Sequence, residues 1–457
     1  MLRDKVLAWI RKSRIVASFY GSLAFFQAKF LLKRRNPYEA LKCLLDARRR
    51  IPDLKQTEKH GKLIQEILQE TTMEDGQFLP IEKNRLHEFF KQSKFYAAAQ
   101  REFGKEPFED RRRMRYFRKN HTVERQGMVM ILKNPVPATG EKGVLIIKFT
   151  PSFEQFPATY NLPEIAKNYR IVFEPSTYRN IEPSLFLYSG RGLHHLLECV
   201  QPSDEEILRH LPSSLIKIKM VSADWMDIEM FVPVEEKKIY DTIMIASWQR
   251  LKRHHVVFDG LKALRDYKPD FRACFVGVPA EMKLDDIQNM AKKRGILQHC
   301  DFFERIPPEK VARLLATSRM AIHFSDAEGV PRSTHEAWLC DVPIIVYKHN
   351  IGFRHTWITE QTGLSCDDAE LPEAIRYILE HPGQFSPRAF LLERSGNVNA
   401  HRMLNEKLKE IALENGEPWT RDIVPKKNAP SLRYVNEEDR LEMEPHYSDL
   451  EEYLLIR

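Results

Sequence analysis

The apolar positions of this chain change their period near Gly127. Before that point Ala, Leu, Lys, Arg and Glu dominate and β-branched runs are few, a pattern that predicts helices, so residues 1–126 read as a helical extension. After it come apolar runs of strand length: Met128–Leu132, Gly143–Phe149, Tyr169–Glu174, Ser184–Tyr188 and Leu215–Val221. Segments able to form helices, Asn161–Asn168 and Ser203–Leu211, lie between them. Such alternation predicts a parallel sheet with crossover helices, here a first α/β domain over 127–232.

A linker-like stretch, Ser222–Lys238, leads into a cleaner alternation. Strands are expected at Tyr240–Ser247, Phe271–Gly277, Cys300–Arg305, Met320–Ser325 and Pro343–Tyr347. Helices are expected at His255–Tyr267, Leu284–Arg294, Pro308–Ser318 and Ser333–Cys340. Four or five βα units in succession predict a doubly wound Rossmann-like domain over 233–412. Ligands of such sheets bind outside the carboxyl ends of the strands, so the loops after Ala246, Gly277, Glu304, Ser325 and Tyr347 should line one cleft. Residues 413–457 are expected to form an acidic tail, since positions 431–457 hold 8 Asp/Glu and 3 Arg.

At 457 residues the chain is too long for one ordinary core, and a guide of about 150 residues per domain agrees with two or three units. Hydrophobic residues at 43% and aromatics at 10% exclude a mainly disordered protein. The six cysteines are scattered without a CxxC pair, which signals neither a zinc site nor a disulfide framework and suits a reducing cytoplasm. The adjacent pairs His194-His195 and His254-His255 do not share a helix face, which speaks against metal ligation. The longest uncharged stretch near the start, Ile15–Ala28, is too short to span a bilayer.

The formal charge of +7 is concentrated at the start, where residues 1–50 hold 13 Lys/Arg against 3 Asp/Glu. The same segment carries Trp9, Phe19, Tyr20, Phe25, Phe26 and Phe30, so residues 1–35 are a candidate for peripheral contact with an anionic membrane face. A basic helical hairpin packed on the protein itself is the alternative; no nucleic-acid-binding motif accompanies the charge. Segment 21–54 also resembles one tetratricopeptide unit, with a break at Asn36-Pro37 and Ala40, Leu44, Ala47 and Pro52 at fitting places in the second helix.

The sharpest chemical signal is Asp326–Tyr347. Glu328 closes a strand-to-helix loop, Pro331 lies where a helix can begin, and Glu336 falls about two turns after Glu328, inside that helix. Free backbone N–H groups in the stretch Gly329 to Ser333, offered by Gly329, Val330, Arg332 and Ser333 with Pro331 at the helix start, can receive a diphosphate, helped by the helix dipole. Glu336 can then accept hydrogen bonds from a ribose diol while Glu328 faces sugar hydroxyls. A paired-carboxylate glycosidase would have no use for a diphosphate pocket between its acids.

The Glu328-x7-Glu336 spacing, the Glu-Gly-x-Pro opening and the following Asp-x-Pro-Ile-Ile-Val strand resemble the donor site of retaining family 4 glycosyltransferases of the GT-B fold. Ile245–Leu264 resembles that family's basic loop and helix, and Ser222–Pro233 its inter-domain linker. The resemblance covers roughly residues 220–412. It implies two Rossmann-like domains facing a cleft and metal-independent transfer of a sugar from a nucleotide diphosphate to an acceptor hydroxyl with retained configuration. The nucleotide sugar serves as co-substrate, no cofactor is needed, and the acceptor is a glycan or glycolipid of surface polysaccharide or glycolipid assembly.

Lys252 matches the family lysine that meets the charge developing on the leaving diphosphate. Ser247 stands where the family arginine is expected, and Arg250 is the substitute candidate. His349 and Arg354 are candidates for the loop after Tyr347. The expected acceptor region, Phe149–Phe156, lacks a glycine-rich loop. A degenerate transferase acting as a scaffold, and a nucleotide-sugar epimerase or hydrolase on the same fold, are the competing readings. The expected location is the cytoplasm or the inner membrane face.

Overall fold

A computed structural model describes residues 14–34, single helical positions between 40 and 66, residues 128–149, positions 152, 153 and 156, and residues 160–175, 195–198, 215–328, 331–351, 353–428 and 432–453. The chain divides into two compact units, one made of 1–219, 408–424 and 436–457, the other of 220–407 and 425–435.

In the first unit, helix α1 (Arg14–Lys33) precedes a five-stranded sheet. Its strands are β1 (Val129–Lys133), β2 (Gly143–Lys148), β3 (Tyr169–Glu174), β4 (His195–Glu198) and β5 (Leu215–Ile218), in that spatial order. β1 pairs antiparallel with β2 and the remaining pairs are parallel. Every residue of β2 and β3 is buried, as continuous apolar runs with both faces covered require. Helix α2 (Leu162–Asn168) supplies Leu162 and Ile165 to this core. Phe153 and Phe156, from the stretch expected to meet an acceptor, are fully buried core residues. At the carboxyl ends of β2 and β3 the buried Lys148 Nζ and Glu174 Oε1 pair at 3.1 Å. The tetratricopeptide-like positions Ala40, Leu44 and Ala47 are buried and helical, while Pro52, the expected strand Ser184–Tyr188 and the expected helix Ser203–Leu211 lie outside the described residues.

The second unit holds a six-stranded parallel sheet in the order β11-β10-β9-β6-β7-β8. Its strands are β6 (Tyr240–Ile245), β7 (Ala273–Gly277), β8 (Cys300–Glu304), β9 (Ser318–His323), β10 (Ile344–Tyr347) and β11 (Gly363–Cys366). The order grows outward through β7 and β8, then restarts on the other side of β6 with β9, so the winding reverses between β6 and β9. Crossover helices α3 (His254–Tyr267), α4 (Leu284–Lys292), α5 (Pro308–Ala316), α6 (Arg332–Leu339) and α7 (Leu371–Glu380) cover the faces, followed by α8 (Pro387–Leu392) and α9 (Asn397–Glu414). One core is built around Phe258, Phe275, Met320 and Ile375, the other around Ile243, Leu315, Trp338 and Val346.

β4, β11, α7 and α8 fall where no element was expected, and two further features differ from the sequence expectation. The linker-like stretch belongs to the second unit, because Met226 and Phe231 are buried in its core and the turn Ser222–Trp225 is buried with them. Residues 413–457 are not a tail: β12 (Lys426–Asn428) and β13 (Leu432–Tyr434) pair in the second unit, while α10 (Glu437–Met443) and α11 (His446–Asp449) return to the first. Leu432, Met443 and Leu450 bury the apolar side of this acidic segment.

Candidate active site

The winding reverses between β6 and β9, and the carboxyl ends of two such strands are the position where doubly wound sheets hold ligands. The chain leaves β6 through Ala246, Ser247 and Trp248 and makes a tight turn over Arg250–Lys252 before α3. It leaves β9 through Ser325 and Asp326 to Glu328. Hydrogen bonds join these loops to their neighbours. The Asp326 amide donates to the Leu251 carbonyl at 3.0 Å, Ile351 donates to Asp326 at 2.9 Å, and Glu328 donates to Ile351 at 2.9 Å. On the other side Trp248 donates to Val278 at 2.9 Å, and a Cβ at Gly277 would collide with the Trp248 indole and the Ala246 carbonyl.

Arg253 is the knot of this layer. It adopts a left-handed backbone, φ 54°, and is buried at the start of α3. Its guanidinium reaches Asp326 Oδ1 at 3.1 Å, donates to both Asp368 oxygens at 2.7 and 2.5 Å, and lies 3.9 Å over the Tyr347 ring. A planar cation with several donors can hold three loops at once in this way.

Against that scaffold the ammonium of Lys252 pairs directly with the Glu328 carboxylate, both largely shielded from solvent. Burial pushes the Lys252 ammonium down to about 8; the facing carboxylate works in the opposite direction. His323, at the end of β9, is pushed down to about 3 by burial and by Lys252. His254 is pushed down to about 4 by burial, by Lys252 and by His255. Both imidazoles are therefore neutral near pH 7, and each keeps a buried ring nitrogen without a hydrogen-bond partner. Ser325 Oγ, Thr334 Oγ1, Arg332 Nε and both amide atoms of Asn350 are likewise buried without partners. Buried polar atoms are usually satisfied, and these orphans, on β9 or on the segments that follow β6, β9 and β10, are groups to which a polar ligand can supply the missing bonds.

Helix α6 begins at Pro331 with no side-chain cap and no acidic residue in its first turn, which leaves its N-terminal donors to an anion. Arg332 and Ser333 are half-buried there. Glu336 is buried, its carboxyl raised by desolvation, and it pairs within the helix with Arg332 at 3.0 Å; it does not join the Lys252–Glu328 pair. From behind, His335 of α6 faces Asp224 at 3.5 Å. Burial disfavours the Asp224 carboxylate, but His335, Arg354 and Ser395 together hold it below the usual range.

The remaining expected residues are placed as follows. Arg250 is exposed and its amide donates to Glu281 at 3.1 Å, while Ser247 is half-buried with its carbonyl accepting from Gln249 at 2.9 Å. Gly329 and Val330 lie outside the described residues. His349 pairs with Asp367 at 2.9 Å and Arg354 lies 4.2 Å over Trp357. The sequence reading did not single out Arg253, His323 or Asp224. A signal existed for two of them: His323 is a polar break in the strand Met-Ala-Ile-His-Phe, and Arg253 continues the basic turn. Among the described residues no group of three or more His, Cys, Asp or Glu is placed to hold a metal ion.

Residues 226–389 match the family model described as glycosyl transferases group 1. The matched group 1 segment contains Lys252, Glu328 and Glu336 and covers less than half of the chain. No curated protein matches the chain. Among solved structures, the C-terminal domain of the glycosyl transferase group 1 family protein LpcC from Francisella tularensis is similar at 15% identity and a TM-score of 0.33, over 37% of this chain and 97% of that one. TarM from S. aureus is similar at 10% identity and 0.44, over 55% of this chain and 52% of its own, so the match spans about half of TarM. HepE from Anabaena, in complex with UDP, is similar at 13% identity and 0.46, over 58% and 78%. Likeness of this order says nothing of substrate or mechanism.

Proposed function

We propose that the chain is a retaining glycosyltransferase of family 4 type, moving a sugar from a nucleoside-diphosphate donor to an acceptor hydroxyl without a metal ion. The observation that carries this reading is the meeting of Lys252 and Glu328 where the sheet reverses its winding, inside the group 1 segment. Transfer leaves charge on the departing diphosphate, and a fixed cation beside an uncapped helix start is suited to stabilise it. In this scheme Lys252 leaves Glu328 for the diphosphate, and the freed carboxylate turns to the sugar hydroxyls and the positive charge developing at the anomeric carbon. Ser325, Thr334 and Asn350 offer the polar contacts that phosphate and sugar oxygens require. Glu336 holds the ribose once its bond to Arg332 is shared or exchanged. A glycan or glycolipid of surface polysaccharide assembly is the acceptor class.

The test is titration of nucleoside diphosphates and their sugars against the full chain, followed by transfer assays with the donor that binds. Lys252→Ala and Glu328→Gln should each lower transfer by about 100-fold to 1,000-fold in variants that still fold, the usual cost of losing one group that meets transition-state charge. Near-wild-type turnover in either variant defeats the site assignment. Retained anomeric configuration by NMR and rates indifferent to chelator test the finer parts. Donor binding without transfer or hydrolysis would favour a scaffold, and an altered sugar on the same nucleotide an epimerase.

A further inference from the structure

Three large apolar side chains of helix α1 face solvent among those described, while Phe25 is half-buried against His60. Leu23 is 54% exposed, Phe26 69% and Phe30 53%, a spacing of three and four residues that places them on one face. The opposite face, Gly21, Ala24 and Ala28, is buried and made of small residues. An ordinary surface helix has the reverse arrangement, apolar inward and polar outward. No other element among the described residues presents three exposed large apolar side chains.

The same outward face holds Lys29, Lys33 and Arg34, all exposed. Lys29 Nζ lies 5.0 Å from the Phe25 ring centroid, and the Arg34 guanidinium 4.5 Å over the Phe30 ring, so cations and rings share one surface. The sequence around the helix reinforces that sign, with 13 Lys/Arg against 3 Asp/Glu in residues 1–50. A stripe of rings flanked by positive charge matches a layer whose surface is anionic and whose interior is hydrocarbon. No described helix is long and apolar enough to cross a membrane, which leaves a helix lying in the interface as the geometry available.

We propose that α1 docks the protein on an anionic lipid surface, with Leu23, Phe26 and Phe30 entering the headgroup layer and Lys29, Lys33 and Arg34 meeting lipid phosphates. Docking places the chain beside acceptors or donors carried by that surface. It rests on the exposed face of α1 and not on the transferase reading, so either can fail alone.

The experiment is co-sedimentation of the full chain with vesicles of phosphatidylcholine alone and of phosphatidylcholine with phosphatidylglycerol, at low and high salt. Wild type should partition to the anionic vesicles and be released by salt. Lys29→Glu with Lys33→Glu should lower that partition at least about 20-fold, since each cation near such a surface contributes about a fivefold factor. Phe26→Ser with Phe30→Ser should lower it about tenfold or more while donor binding stays at the wild-type level. Should the serine variant fail to fold, the glutamate variant decides. Equal partition to neutral and anionic vesicles overturns the proposal, as does wild-type partition of the glutamate variant. A self-association that both vesicle types leave intact and that Phe26→Ser abolishes would assign the face to a second copy instead.

Discussion

Lys252 is governed by two opposed influences, burial that favours the neutral amine and a carboxylate that favours the ammonium. A diphosphate needs the ammonium. Because the group gains charge below its pKa, donor affinity should hold at neutral pH and decline as pH rises past about 8. Lys252→Arg keeps its charge across this range and should carry the affinity plateau about a unit higher or more, checked by titrating nucleoside diphosphate at several pH values. Affinity indifferent to pH in wild type would mean that Lys252 does not meet the phosphates. Lys252 and Glu328 were legible in the sequence because their motifs fix local spacing to a helix start. Arg253 and His323 left only the faint signals of a basic turn and a polar break in a strand, since their roles arise from neighbours distant in sequence: Asp326, Asp368 and Tyr347 around one, Phe353 and Lys252 around the other.

At the scale of elements, α6 presents the site from the front and is held from behind. Asp224 accepts from the Val221 amide at 2.8 Å and the Ser395 hydroxyl at 2.6 Å, and faces His335. Asp224→Ala strands these buried groups and should cost about 2–4 kcal/mol in denaturant unfolding, with a higher KM for donor as the start of α6 loosens. An unchanged unfolding midpoint would mean that this cluster does not anchor the helix. Gly277→Ala should act on the other loop, pushing Trp248 and with it the turn that carries Lys252; donor affinity is expected to fall about tenfold, measured by calorimetry. Five of the six strands of the second sheet were readable because apolar runs and helical periods alternate without interruption from Tyr240 to Tyr347; β11, Gly-Leu-Ser-Cys, lies beyond that run and was missed. β4 was missed, since His-Leu-Leu-Glu is too short and too polar at its ends to declare itself. The C-terminal segment was misread for a related reason: Leu432, Met443 and Leu450 are too widely spaced to make a period, and its charge hides them.

For the molecule as a whole, stability in acid should depend on a cluster that the returning chain completes. Lys133 Nζ and Glu141 Oε1 are 2.5 Å apart with both side chains buried, and the Thr420 amide and hydroxyl donate to the same carboxylate at 2.8 and 2.5 Å. Burial raises the Glu141 carboxyl, yet these hydrogen bonds bring it from 4.5 to about 2. A carboxyl depressed in the folded state stabilises above its unfolded value, and that contribution fades as pH falls from about 4.5 toward 2. Glu141→Gln should therefore remove on the order of 3 kcal/mol at neutral pH and flatten the acid limb of stability against pH. Equal acid sensitivity in both proteins would assign the limb to other groups.

The same return of the chain has a practical consequence. β1 is an edge strand, and its free side is met by residues from far downstream: the Val424 amide donates to the Leu132 carbonyl at 2.7 Å, and the Ile131 amide donates to the Tyr447 hydroxyl at 3.2 Å. Neither unit is a contiguous piece of polypeptide. Severing the protein at a peptide bond just after the first sheet would thus part that sheet from 408–424 and 436–457, which stay with the second unit. The stump ending before Val424 would bare an unpaired strand, the usual starting point of aggregation.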